Sequence, residues 1–538
     1  MDLRPTFAGR WITRRRTIAP VAAAVAIAAL WGAQALIADP PGKKPSAGPG
    51  PAEPRQVAAP PAASTGGQSL DRQPRITRHA GDDWPAFLGS SGDSKSRETG
   101  VIAPWPDAGP RVVWTVELGE GYGPPAVSAG RLFMFDRVDN RARLRTLESE
   151  TGRELWSFAY PTDYQDMYGY DGGPRASPVV DEDRVYVFGA EGMLFCLRVA
   201  DGGVVWKRDT TAQFGVPQNF FGVGSTPVVF GELLIVQIGG SRAPREAAQA
   251  PGNGRSDGGQ PDAGPPPGAG PLNRDEPVGP PADAAGAGSG VVAFDKRTGA
   301  VRYRITNELA SYSSPHLATI ADRPWCFVFA RGGLICFDPA SGKVDFEFPW
   351  RAPIVESVNA SNPVVAGNLV FISETYGPGS ALLRVRPGGY DVVWSDAQRR
   401  RDKAMQTHWN TPIERNGFLY GSSGRHEPNA ELRCIELATG AVRWSQPDLR
   451  RASLLYVDGY FVCLSENGAL RLLRVSPDKF DVVSEALLVE PPTGGRDLGS
   501  ANRRLLKPPA WAAPILSHGL LYVRGRDRLV CVELIAAK

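Results

Sequence analysis

The chain has 538 residues, with 60 Lys and Arg against 57 Asp and Glu, for a formal net charge of +3. So even a balance leaves no electrostatic footprint for nucleic acid, and no basic patch interleaved with aromatics is present. The length alone suggests three or four ordinary domains, but an internal repeat of about fifty residues replaces that estimate with one closed domain over residues 82–538.

The chain opens on a targeting segment. Arg14-Arg15-Arg16 precedes an apolar stretch, residues 17–38, long enough to cross a bilayer with the arginines on the cytoplasmic side. Ala33-Gln34-Ala35 has the small-x-small form of a cleavage site, so residues 1–38 read either as a removed signal peptide or as a retained anchor. No cysteine follows the apolar run, which excludes a bacterial lipid anchor there. The rest of the chain is therefore expected outside the cytoplasm, in the periplasm or on the outer face of the inner membrane, touching the membrane only if the segment stays uncleaved. Residues 39–81 are a Pro/Ala/Gly-rich tether with too few apolar residues to fold.

The repeat begins after a lone strand, residues 112–118. Its opening segments are Gly123-Pro124-Pro125, Ala176-Ser177-Pro178, Ser225-Thr226-Pro227, Ser313-Ser314-Pro315, Ser361-Asn362-Pro363, Asn410-Thr411-Pro412, Ala452-Ser453-Leu454 and Ala512-Ala513-Pro514. Proline at a strand opening loses no ladder hydrogen bond and forces its predecessor into an extended shape. Each unit closes on a Thr-Gly-like turn and a strand bearing an aromatic, as in Thr151-Gly152 to Trp156 and Thr439-Gly440 to Trp444. Four short strands per unit predict an all-β, eight-bladed propeller with four-stranded antiparallel blades. The eighth unit stops after three strands, so residues 112–118 are expected to supply its outer strand and fasten the ring, which would be monomeric. In the seventh unit Ser484 stands where the aromatic should be.

One insertion interrupts the third unit. Residues 239–290 are rich in Pro, Gly, Ala and Asp and are expected to form a disordered loop. Four of the six cysteines, Cys196, Cys336, Cys434 and Cys531, recur at one position in the third strand of their units, too far apart around a ring to bridge. Cys326 and Cys336 face each other only if their hairpin loop is the three residues Ala330, Arg331 and Gly332.

A propeller gathers its inter-blade connections and its second-to-third-strand loops on one face, around the mouth of the central channel, where ring proteins hold ligands. The candidate contacts there are Asp171, Arg175, Asn219, Asn359, His408, Trp409 and Arg425, whose charges and amides could orient a small polar ligand with Trp409 as a stacking surface. The same residues could instead cap strands and bond neighbouring blades. No pair of the five histidines has metal-ligand spacing, and no phosphate loop, nucleophile elbow or Cys-x-x-Cys occurs, so no catalytic or metal residue is assigned.

The unit endings Phe294-Asp295-Lys296-Arg297-Thr298-Gly299 and Leu437-Ala438-Thr439-Gly440-Ala441-Val442-Arg443-Trp444 resemble those of pyrroloquinoline quinone (PQQ)-like propellers. So does the leader Asp83-Trp84-Pro85-Ala86-Phe87-Leu88-Gly89, with Leu88 where such leaders usually carry Arg. The resemblance implies one of two activities. Quinoprotein alcohol dehydrogenases hold PQQ and Ca²⁺ at the channel mouth beside a disulfide of adjacent cysteines, a pair this chain lacks. BamB-type proteins bind no quinone and act as scaffolds in outer-membrane protein assembly. The expectation is a non-catalytic binding or assembly scaffold with envelope proteins as partners; a PQQ-dependent dehydrogenase and a carbohydrate- or peptide-binding module are the alternatives.

Overall fold

A computed structural model describes residues 73–216, 219–241, 286–354, 356–490 and 503–537. It is an eight-bladed β-propeller built from eight four-stranded antiparallel sheets. Blades 1 to 7 span residues 126–161, 179–209, 228–305, 316–349, 364–395, 413–446 and 452–487. The eighth combines three strands within 515–533 with the strand Val112–Glu117, which pairs antiparallel with Arg528–Glu533 (Thr115 opposite Val530, Val116 opposite Leu529). Tight turns join the first and second strands: Asn416-Gly417 and Asp458-Gly459 hold positive φ at both residues (52° and 83°, 48° and 81°), the backbone that matches strand twist.

Two repeated contacts tie neighbouring blades together. The residue before the opening proline sends its main-chain N–H to the side-chain oxygen at the same place in the following blade. Ser177 donates to Thr226 Oγ1 (3.0 Å), Thr226 to Ser314 Oγ (2.9 Å), Ser314 to Asn362 Oδ1 (2.8 Å) and Asn362 to Thr411 Oγ1 (3.0 Å). The Ser/Thr/Asn-Pro motif is thus an inner belt of hydrogen bonds. The outer contact uses the strand-four aromatic. The indoles of Trp114, Trp156, Trp206, Trp394 and Trp444 donate to the carbonyls of Ser149, Val199, Lys296, Leu437 and Ser476 in the following blade, at 2.8–3.1 Å. Under them lies the glycine of the Thr-Gly-like turn: Gly202 has φ +73°, and a Cβ there would come within 2.6 Å of the Trp156 ring. At the Ser484 position the leader compensates. Trp105 packs into the core shared by blades 7 and 8, and its main-chain N–H donates to Ser484 Oγ at 2.9 Å.

All six cysteines are free and buried. Cys326 pairs across its hairpin with Phe337, and Cys336 with Phe327. That one-residue offset turns the two thiols to opposite faces of the sheet, Cys326 toward the core with Ile235 and Cys336 toward the core with Val370.

Two of the segments expected to be irregular meet the ring at their ends. The tether expected over 39–81 is pinned at its C-terminal end: the Arg75 and Arg78 amides donate to Glu148 and Glu150 at 2.6 and 2.9 Å, and Arg78 pairs with Glu533. Residues 39–72 lie outside the described residues, as do 1–38. The insertion expected over 239–290 starts later and ends sooner, because the strands Leu233–Ser241 and Gly286–Asp295 stay paired out to Ser241 opposite Gly286. Residues 242–285 lie outside the described residues.

The leader fills one end of the channel. Trp84 exchanges two main-chain bonds with Val127 of blade 1, and Pro85 O accepts from Val180 of blade 2. Ser94 and Ser96 bond Tyr456 of blade 7, and Lys95 lies 3.8 Å from Glu414 of blade 6. A chain segment that touches inner strands on opposite sides of the ring must cross its axis. Trp84 and Leu88 are buried within it.

Candidate functional site

Above the leader, on the face of the inter-blade connections, opens a cavity of about 490 Å³. One repeat position contributes to its wall from every blade. The third residue before each opening proline, or before Leu454 in blade 7, is Tyr122, Arg175, Gly224, Tyr312, Ala360, Trp409, Arg451 and Trp511, and all eight line the cavity. Phe87, Leu88 and Ser94 of the leader form its floor, so the channel is a cup rather than a pore. Leu88 takes a left-handed backbone there, φ 62°, a strained conformation for a bulky residue.

The cup is lined by a belt of aromatic contacts. Trp511 meets Tyr122 (4.8 Å between ring centroids), Tyr170 (5.7 Å) and Trp409 (5.2 Å). Trp409 meets His408 (4.8 Å), and His408 meets Tyr376 (5.8 Å). On the other side Phe221 touches Tyr168, Tyr170 and Tyr312 at 5.4–5.7 Å. Such edge-on and tilted pairs hold one another while leaving ring faces and edges for a ligand.

Three guanidiniums interrupt the belt. Arg175 is buried against Asp166 at 2.5 Å and donates to the carbonyls of Gly173 and Asp171. Arg451 pairs with Glu466 at 2.6 Å and lies 4.4 Å over the Trp409 ring, while the Trp511 indole donates to the same carboxylate at 3.0 Å. Burial pushes the Glu466 carboxyl up, but the Arg451 hydrogen bonds and charge outweigh it and hold the group below its ordinary value. Arg425 is different. Its guanidinium sits 4.4 Å over Tyr376, and among the described residues it makes no ion pair with a carboxylate. Burial, reinforced by Arg451 and Arg425, drives His408 down to about 3, so the imidazole is neutral at ordinary pH. Its Nε2 lies 3.3 Å from Tyr376 Oη, whereas its Nδ1 and the Trp409 Nε1 are buried without a partner. Glu374 caps this loop, accepting from the Tyr376 and Gly377 amides at 2.7 and 2.8 Å, and burial raises it to about 6.

Of the seven candidate residues, Arg175, His408, Trp409 and Arg425 converge on the cup. Asp171 stands behind the wall: its carbonyl holds Arg175, and its charge adds to the burial that lifts the Tyr122 hydroxyl to about 12. Asn219 faces a separate cleft of about 400 Å³ beside blades 2 and 3 and donates to Ala310 O. Asn359 is fully buried and staples Ala330 O (2.7 Å) and Trp350 O (3.1 Å), a structural role. Sequence reasoning passed over Tyr122, Arg451 and Trp511. Their signal was the spacing to the opening proline, which Trp409 and Arg175 share.

The cup's donor set bears on a PQQ–calcium pair. Its aromatic walls and arginines suit a planar acid. Glu356 is the one carboxylate among the described lining residues, Asp166 and Glu466 behind the wall are engaged by arginines, and no group of three or more metal-capable His, Cys, Asp or Glu occurs among the described residues. The calcium half of the pair does not fit.

Among the described residues, no helix is long and apolar enough to cross a membrane. No curated protein sequence matches the chain. In structure it is similar to the quinohemoprotein alcohol dehydrogenase of Comamonas testosteroni, at 12% identity over 85% of this chain and 81% of that one, with a TM-score of 0.51, a likeness of fold. It is also similar to BamB from Moraxella catarrhalis, at 14% identity over 86% and 97% of the two chains, with a TM-score of 0.36. The family profile described as outer membrane protein assembly factor BamB matches residues 96–249 and 269–448, more than half of the chain, and the protein belongs to that family of PQQ-like propellers.

Proposed function

We propose that this is an exported, non-catalytic binding protein of the cell envelope that serves as an assembly scaffold, with the aromatic cup as its contact site. The observation that carries this is the cup itself: eight equivalent positions converge on an apolar, arginine-bearing pocket. His408 is held neutral, and the buried acids Asp166 and Glu466 are engaged by Arg175 and Arg451. A pocket of this kind pays for binding through desolvated rings and a few polar anchors. Membership of the BamB family and the apolar segment 17–38 support the envelope location.

The test compares envelope proteins retained by the wild-type ring and by a Trp409→Ala, Trp511→Ala double variant. Specific partners should be retained by the first and lost from the second while the ring stays folded. Stoichiometric PQQ binding in the presence of Ca²⁺ with dye-linked alcohol oxidation would overturn the scaffold reading.

A further inference from the structure

We infer that the cleft beside blades 2 and 3 is a second binding site, which takes a small uncharged polyhydroxylated molecule, a free sugar or the end residue of a glycan. It is distinct from the cup: among their described lining residues the two share only Gly224.

Three observations carry it. First, the cleft wall holds polar atoms with nothing to bond. Tyr164 Oη, Ser225 Oγ and Gln237 Nε2 are buried without a partner, in residues that are 7%, 2% and 2% exposed and that all line the cavity. They come from the connection into blade 2, the opening segment of blade 3 and its second strand. Gly222 makes room for the phenol, since a Cβ there would come within 2.8 Å of the Tyr164 ring and 2.4 Å of Ala190 O. Gln237 Oε1 accepts from the Ser311 amide at 3.2 Å, which leaves Nε2 as the free end of that side chain. Buried polar atoms are costly to leave unpaired, and these three can all be met by ligand oxygens.

Second, acceptors stand in the same wall. The lining acids are Asp163 and Glu191, and Glu191 is fixed by the hydroxyls of Tyr160 (2.6 Å) and Thr162 (3.2 Å). The Val223 amide donates to Ala190 O at 2.8 Å, which brings Glu191 beside the segment that carries Ser225. Third, the lining sets the ligand's charge. The described lining residues include no Lys, Arg or His, so nothing there would neutralise an anion, and the two acids repel one. An ammonium group would offer Gln237 Nε2 no acceptor. A hydroxyl both accepts and donates, so a polyol can serve Gln237, Ser225, Tyr164 and Glu191 together, with its C–H faces against Val223, Ile238 and Leu309. The cleft's volume of about 400 Å³ lies in the ordinary range of small-ligand sites.

The experiment titrates the full chain with N-acetylglucosamine, glucosamine and glucuronic acid, read by saturation-transfer NMR and calorimetry. The neutral sugar should bind more tightly than either charged one, and at least about tenfold more tightly than glucuronate. A Tyr164→Phe, Ser225→Ala double variant removes two hydroxyls that hold nothing within the protein. It should weaken that binding at least about tenfold with no fall in the thermal unfolding midpoint. Chitotetraose binding more tightly than the single sugar would identify a glycan end as the natural source, and equal binding a free sugar. The inference is overturned if no probe binds, if binding survives the double variant, or if a charged sugar binds as tightly as the neutral one. Sugar binding that is lost in the Trp409→Ala, Trp511→Ala variant would also overturn it, by placing the sugar in the cup. Retention of envelope partners is read separately, so failure here leaves the scaffold reading standing.

Discussion

The guanidinium of Arg451 lies 4.4 Å over the ring of Trp409, at the same repeat position one blade on. Glu466 holds it there and also accepts from Trp511 on the other side. One carboxylate therefore orients the walls contributed by blades 6, 7 and 8, and the seventh blade, whose opening proline is replaced by Leu454, fills its share of the cup with a cation instead of a ring.

That buried pair should be costly to break from one side. Arg451→Met strands the Glu466 carboxylate and is expected to destabilise the protein by about 3 kcal/mol, read by denaturant unfolding. Adding Glu466→Gln should recover much of the loss. A single variant as stable as wild type would show that the pair does not organise the wall.

Trp114→Ala removes the aromatic that the eighth sheet lays against blade 1, together with its bond to Ser149 O. A large-to-small change at a buried tryptophan is expected to cost about 3–5 kcal/mol in equilibrium unfolding. A loss under about 1 kcal/mol would mean that the strand Val112–Glu117 contributes little to holding the ring together.

Asn359 and Trp409 were both candidates for ligand contact, and they should now separate. Asn359→Ala leaves two buried carbonyls without their donor and should lower stability by about 1–3 kcal/mol with partner binding unchanged. Trp409→Ala should weaken partner binding with a smaller effect on unfolding. Exchanged phenotypes in those two measurements would reverse the assignments.

Glu374 sets a pH dependence. Its folded value, about 6, lies above the ordinary carboxyl value of 4.5 because of burial. A carboxyl raised on folding contributes stability that is complete below the unfolded value and lost as pH rises through the folded one. Glu374 should therefore favour the folded state below about pH 4.5 and lose that contribution by about pH 6. Carbon-detected NMR of the carboxyl should show a midpoint near 6, and a midpoint near 4.5 would remove the pH dependence.

Much of the fold was legible because it is repetitive. The opening prolines, the Thr-Gly-like turns and the strand-four aromatics each follow from local rules about strand starts, left-handed turns and large flat side chains. Repetition multiplies a weak local signal eightfold. Repetition also hid the cup. Tyr122, Arg175, Trp409, Arg451 and Trp511 differ in chemistry, so no residue type marks the wall, and only the shared spacing to the strand opening does.

By itself, the sequence determined the number of blades, the strand order within each and the face on which a site could lie, because these depend on periodicity and turn chemistry along the chain. Only the tertiary structure decided which of the candidates meet. Asn359 and Asn219 lie in inter-blade connections as Trp409 does, yet their amides turn to backbone carbonyls, since a buried amide gains more from those partners than from an open pocket. The leader's role was likewise invisible. Trp84 and Leu88 read as a family-like motif, but the leader's place depends on inner strands of blades 1, 2 and 7, the last hundreds of residues away, which meet at the channel only once the ring has formed.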